Sequence, residues 1–232
     1  FFPAGKWSFT GNPVRQNIID LVDRDNPANQ AAVRARFGLQ PNLPVVFVTG
    51  GSLGARTINE ALFVGLVTLA KAGVQVIWQM GLPFAKTHGE AINQLINDHG
   101  DVFLQEGSPR IFHAPFIYDM DDAYLASDVV ISRAGAISIS EIAVVGRAAV
   151  LVPSPNVTDD HQTKNARVLS DLGAAILVTD KMASETLITE TLALLKDTKK
   201  QAEMQEKLKG IAKPNATETI VNIIETCLQK GG

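Results

Sequence analysis

From Val45 onward the chain alternates two hydrophobic patterns. Short β-branched runs (VVFV, VVIS, AVLV) are followed by longer stretches in which apolar residues recur every three or four positions. The short runs show no polar face, as strands buried on both sides do. The longer stretches read as amphipathic helices. Strands are predicted at Val45–Thr49, Val74–Gln79, Asp101–Gln105, Arg110–Phe116, Asp128–Ser132, Ala149–Val152 and Ala175–Val178. Helices are predicted at Arg56–Ala72, Pro83–Asn97, Asp119–Ala126, Ser138–Val145 and Gln162–Leu172. This alternation predicts an α/β fold, a parallel sheet with helices on both faces. Residues 1–40 read as a lead-in and linker, with a polar stretch at Asp23–Asn29 and a short helix near Ala31–Phe37. After the last strand, helices are predicted at Ala183–Leu195, Lys199–Ile211 and Thr217–Leu228. The last of these lies in a terminal segment, 213–232, and carries Ile220, Ile223, Ile224, Cys227 and Leu228 on a stripe that must cover something.

An open parallel sheet holds ligands beyond the carboxyl ends of its strands, so the strand-to-helix turns carry the candidate chemistry. In VVFVTGGSLGAR (45–56), Gly50, Gly51 and Gly54 lead from a strand into a helix. Backbone N–H groups exposed there favour a phosphate. A P-loop is excluded, because Ala55 and Arg56 follow where Lys and Ser/Thr are needed. The dinucleotide fingerprint is excluded too: the spacing is G-G-x-x-G, and Gln75 stands where an acidic ribose reader is expected. A tight turn with no ligand fits this motif equally well.

In VVISRAGAISISEIA (129–143), Ser138 and Glu141 match the S-x-x-E capping box, where both side chains serve the helix's own N–H groups. The other reading of Glu141 is a carboxylate for a ribose diol. In VLVPSPNVTDDHQTKNA (150–166), Asp159 or Asp160 is placed to cap a helix. His161 and Gln162 then stand at the mouth of the crevice, as a sugar reader requires, although a solvated loop histidine is the plainer reading. Asp119, Asp121 and Asp122 resemble an acidic metal triad, but they sit where acids favour a helix start. His88, His99 and His113 lack metal-ligand spacing, and no Ser-His-Asp order points to a nucleophile. No metal, no cofactor and no catalytic residue is predicted.

Composition narrows the partners. The chain has 232 residues, 46% hydrophobic and 19% charged, with a net charge of −3. A folded core is expected, and a nucleic-acid partner is not. A single cysteine, Cys227, rules out a disulfide within the chain and suggests a reduced compartment. No apolar run reaches the ~18 residues that span a bilayer. The opening FFPAGKWSFTGNPVR starts on Phe1 and holds a turn but no full element, so the sequence is expected to be a fragment cut from a longer protein.

Five stretches then occur in order: TGNPVR (10–15), VTGGSLGAR (48–56), FIYDM (116–120), SRAGAISISEIA (132–143) and DDHQTKNA (159–166). The ordered set resembles the carboxyl-terminal half of the MurG family, the peptidoglycan N-acetylglucosaminyltransferases of glycosyltransferase family 28. The likeness covers nearly the whole chain from Thr10. It implies half of a GT-B fold, with residues 41–212 as a Rossmann-like domain that binds the donor UDP-N-acetylglucosamine. It also implies a terminal helix, 213–232, that returns to an amino-terminal domain absent here. By resemblance, Arg15 lies near the nucleotide and the Ile117 backbone pairs with the uracil edge. Gly51 and Ser52 contact the diphosphate, and Ala136, Ile137 and Ser138 line the phosphate and sugar side. Glu141 takes the ribose hydroxyls, and His161 and Gln162 face the sugar; many relatives have Gln where this chain has His161. The family inverts the anomeric carbon without a bound metal, converting lipid I to lipid II. The acceptor, the base and a peripheral contact with the cytoplasmic face of the bacterial inner membrane belong to the other domain, so this fragment alone is expected to be inactive. Rival readings are a related UDP-sugar enzyme (a 2-epimerase or a glycolipid synthase) and a non-catalytic domain with an empty cleft.

Overall fold

The computed structural model describes residues 7–230. Phe1–Lys6 and the last two residues, on which the ends of the lead-in and terminal-helix expectations rest, lie outside the described residues.

Three short helices come first: α1 (Gln16–Ile19), α2 (Leu21–Arg24) and α3 (Pro27–Arg36). The start of α3 is set by its sequence. Asn26 accepts from the Asn29 N–H at 3.0 Å, and Pro27 occupies the first turn, where no N–H is needed. Val14, Ile18, Leu21 and Val33 are buried, so the lead-in is packed into the core rather than strung out as a tether. Arg34 of α3 holds Asp128 at 2.9 Å, and Asp128 accepts from the Val45 N–H at 2.8 Å.

The alternating part then runs β1 (Val45–Thr49), α4 (Arg56–Lys71), β2 (Gln75–Gln79), α5 (Leu82–Asp98), α6 (Gly100–Phe103), β3 (Ile111–Ala114), α7 (Met120–Ala126) and β4 (Val129–Ser132). It continues with α8 (Ala136–Val145), β5 (Ala148–Leu151), α9 (His161–Asp171), β6 (Ile176–Leu177), α10 (Ala183–Lys196), α11 (Thr198–Ile211) and α12 (Ala216–Lys230). All pairings are parallel, in the order β3-β2-β1-β4-β5-β6. This is the doubly wound Rossmann-like order, with its crevice where the order reverses, between β1 and β4. The α/β expectation is borne out.

Alternation along β1 divides the core. Val45 and Phe47 join the layer of α1–α3, α7, α8 and α9, while Val46 and Val48 join that of α4, α5 and α10. One predicted strand is wrong. Asp101–Gln105 overlaps α6, with Phe103 buried in the α4–α5 layer. Three apolar residues in a row, Val102–Leu104, do not distinguish a strand from a buried helical turn; here packing on α5 decides, and β3 alone forms that edge of the sheet. β3 ends at Ala114, and Pro115 follows, its carbonyl still accepting from the Gly81 N–H at 3.0 Å. Among the described residues no helix is long and apolar enough to cross a membrane.

Candidate functional site

The carboxyl ends of β1, β2 and β4 bring three polar side chains into one row. Thr49 is in register with Gln79 on one side and with Ser132 on the other. Each ends a strand whose alternation points it toward the α7–α8 layer. All three are buried, and Ser132 Oγ has no hydrogen-bond partner among the described residues.

The glycine turn stands above this row. Gly54 adopts φ +78°, and a Cβ there would lie 2.1 Å from the Met80 carbonyl. A Cβ on Gly50 would meet the Ala55 nitrogen at 2.2 Å. Gly54 lets the loop cross the backbone of the β2–α5 turn, and Gly50 lets the loop fold back on itself at Ala55. Gly51 differs: at φ +86° it has open space in front of its missing side chain. Its N–H donates to Thr49 Oγ1 at 3.2 Å. Ser52 is exposed beside it. The following helix, α4, has no side-chain cap and no acid in its first turn, so its amino end is free to face an anion.

α8 presents a second uncapped start, with Gly135 in the capping position and Ala136, Ile137 and Ser138 in the first turn. The capping-box expectation fails here. The helix begins two residues before Ser138, so Ser138 lies inside it and Glu141 reaches elsewhere. Glu141 is 5% exposed. Its Oε1 accepts from Arg15 Nε and Nη2 at 3.2 and 2.9 Å, and its Oε2 accepts from the Tyr124 hydroxyl at 3.3 Å. Burial, and then the Glu141 charge, push the Tyr124 phenol well above its ordinary range, so it stays a donor. Arg15, from the lead-in, is thereby brought to α8 across the sequence.

The third turn is tighter than expected. Asp159 and Asp160 take φ of +54° and +50°, and Asp160 precedes α9 without a side-chain cap bond, against the expected N-cap. A left-handed residue does not direct its carboxylate back over the helix start. His161 is exposed, with Nδ1 2.7 Å from the Thr158 carbonyl. Gln162 Oε1 accepts from the Ser154 N–H at 2.9 Å, which leaves its amide N–H groups for a ligand.

The Ile117 N–H donates to Gln79 Oε1 at 2.9 Å, while the Ile117 carbonyl accepts no hydrogen bond among the described residues. Asp121 and Asp122 pair with Arg24, and Asp122 also with Arg36; the acids serve the docking of the lead-in on α7. Among the described residues no group of three His, Cys, Asp or Glu could hold a metal ion. His88 stacks on Phe84, and His113 bonds Asn93 at 3.1 Å. Sequence reasoning missed Thr49, Gln79 and Tyr124. The signal for the first two is a polar residue ending an otherwise apolar buried strand; Tyr124, inside a helix, carries none.

Residues 45–220 match the glycosyltransferase family 28 C-terminal domain. A UDP-N-acetylglucosamine–N-acetylmuramyl-(pentapeptide) pyrophosphoryl-undecaprenol N-acetylglucosamine transferase of Cytophaga hutchinsonii is 44% identical over 96% of this chain and 55% of its own length. The protein of the same name from Bacteroides fragilis is 41% identical over 95% of this chain and 54% of its own. The crystal structure of Acinetobacter baumannii MurG superposes with a TM-score of 0.70 at 30% identity, covering 97% of this chain and 58% of that one. The chain therefore spans a little over half the length of these relatives. With the family domain matched over most of its length, the chain belongs to glycosyltransferase family 28.

Proposed function

We propose that this chain is the donor half of an N-acetylglucosaminyltransferase that takes UDP-N-acetylglucosamine and acts on lipid I to give lipid II. The observation that carries this reading is the convergence of two uncapped helix starts and a buried carboxylate on one crevice, at the β1–β4 reversal. Each part suits one part of the donor. The Gly51–Ser52 turn and the start of α4 offer N–H groups to a diphosphate. Ala136, Ile137 and Ser138 do the same from α8. Glu141, set by Tyr124, accepts from ribose hydroxyls, and Arg15 turns from Glu141 to the nucleotide as the ribose arrives. The Ile117 backbone reads the uracil edge, and Gln162 with His161 reads the sugar.

The chemistry follows from where charge grows. In transfer, the anomeric carbon loses UDP as the acceptor hydroxyl attacks from the opposite face, so configuration inverts. Negative charge collects on the departing diphosphate, where N–H groups fixed before reaction stabilise it without reorganising. His161 Nδ1 lies on the Thr158 carbonyl, and we place its ring against the donor sugar and assign the group that takes the acceptor proton to the facing domain. That domain also carries lipid I and the peripheral contact with the cytoplasmic face of the membrane. The names and lengths of the relatives support this division of labour. Calorimetry with UDP-N-acetylglucosamine, UDP-glucose and UDP-N-acetylgalactosamine tests the reading. Heat is expected with all three and the tightest binding with the first; equal affinities would remove the sugar assignment, and no heat at millimolar ligand would remove the nucleotide site.

A further inference from the structure

The Gln79 side chain uses both ends of its amide, and each end holds a different part of the crevice. Its Oε1 accepts from the Ile117 N–H at 2.9 Å. Its Nε2 donates to the Gly51 carbonyl at 3.1 Å and to Thr49 Oγ1 at 3.2 Å. Thr49 Oγ1 in turn accepts the Gly51 N–H. Gln79 is 2% exposed and ends β2, one strand away from the crevice. Apolar strand ends would complete the sheet equally well, so a buried amide with all its polar atoms matched calls for another reason.

We propose that Gln79 is a positioning residue that ties the base-reading segment at Ile117 to the diphosphate turn at Gly51, the oxygen of its amide serving uracil recognition and the nitrogen serving phosphate binding. This rests on the nucleotide reading above and adds a residue to it. Uracil offers a ring N–H flanked by carbonyls, whereas cytosine offers a bare ring nitrogen beside an amine. A backbone edge separates the two only when its position is fixed. The Ile117 N–H, shared between Gln79 Oε1 and a base carbonyl, sets that position. The same amide holds the Gly51 carbonyl, which also accepts from the Gly54 N–H, away from the ligand, and this leaves the Ser52 and Leu53 N–H groups of the turn to face the diphosphate.

The two arms separate in three variants. Gln79→Met keeps the length of the side chain and removes both arms. Gln79→Glu keeps an oxygen for the Ile117 N–H but places a carboxylate against the Gly51 carbonyl. Thr49→Val loosens the turn alone. Calorimetry of UDP, CDP and UMP on the purified chain reads two ratios: UDP over CDP for the base arm, and UDP over UMP for the phosphate arm. In Gln79→Met both ratios are expected to fall by about tenfold, since a buried donor loses its partner. In Gln79→Glu and Thr49→Val the UDP-over-UMP ratio falls and the UDP-over-CDP ratio holds. A purely structural role would lower the melting temperature and leave both ratios at the parent value, and that result overturns the proposal. If Gln79→Met does not fold, the other two variants still decide, because parent-like UDP-over-UMP ratios in both overturn it. A parent chain that binds no UDP removes the nucleotide reading and this proposal with it.

Discussion

At the scale of single residues, Glu141 shows how a side chain can be legible in chemistry and illegible in partners. Its spacing from Ser138 suggested a cap; its real partners, Arg15 and Tyr124, lie 126 and 17 residues away. No local pattern encodes such distances. The Arg15 side chain is 52% exposed, so water replaces Glu141 readily, and the pair is worth about 0–1 kcal/mol. Glu141→Gln is therefore expected to lower stability by no more than about 1 kcal/mol in urea unfolding, while weakening UDP by about tenfold through loss of a charged acceptor. Affinity for 2′,3′-dideoxy-UDP should not change; an equal loss for both ligands would take the ribose away from Glu141. His113 gives a pH signature. Burial lowers its pKa from the ordinary 6.5, so the native state binds fewer protons than the unfolded chain between the two values. Stability from this group is complete above pH 6.5 and is lost as pH falls through the lowered pKa. The melting temperature should drop between pH 7 and 5, with a smaller drop in His113→Asn.

Among the elements, the strands around the crevice were readable because each is apolar on both faces. The region of Asp101–Gln105 was not, since five residues carry no period and packing on α5 made them helical. The glycine turn was readable as a turn, but the duties of its glycines were not. Gly54 is fixed by the Met80 carbonyl, a contact with the turn that follows β2. Gly54→Ala forces a Cβ into that backbone at positive φ, and a loss of about 3 kcal/mol or more is expected in denaturant unfolding. Gly51→Ala meets only the conformational cost of about 1–2 kcal/mol, because the space in front of it is open. Yet that is where a diphosphate would sit. Gly51→Ala should therefore lose UDP binding while folding, and Gly54→Ala should fail at folding first; comparing urea midpoints with UDP titrations orders them.

For the molecule as a whole, a site made from both halves of the sheet stabilises the fold when filled. UDP at about 100 times its dissociation constant contributes about 2.7 kcal/mol, and a chain of this size should then melt about 5–10 °C higher. No transfer to a lipid I analogue is expected from the 232-residue chain, because in the proposed reading the acceptor and its base belong to the facing domain; turnover abolished by His161→Ala would place the base on this side. The sheet order has a kinetic consequence. β1 pairs with β4 through Asp128, 83 residues beyond Val45, while β1 and β2, and β4 and β5, close over much shorter loops. Short loops close first, so the chain should assemble as two pieces whose seam zips last, and that seam is the floor of the crevice. Amide exchange should therefore be faster for N–H groups bonded across β1 and β4 than for those across β1 and β2. Nucleotide should slow the first set far more than the second. In this view UDP acts as a late clasp on the folding chain, and a cell short of the nucleotide would hold this protein nearer to opening along the line where it binds.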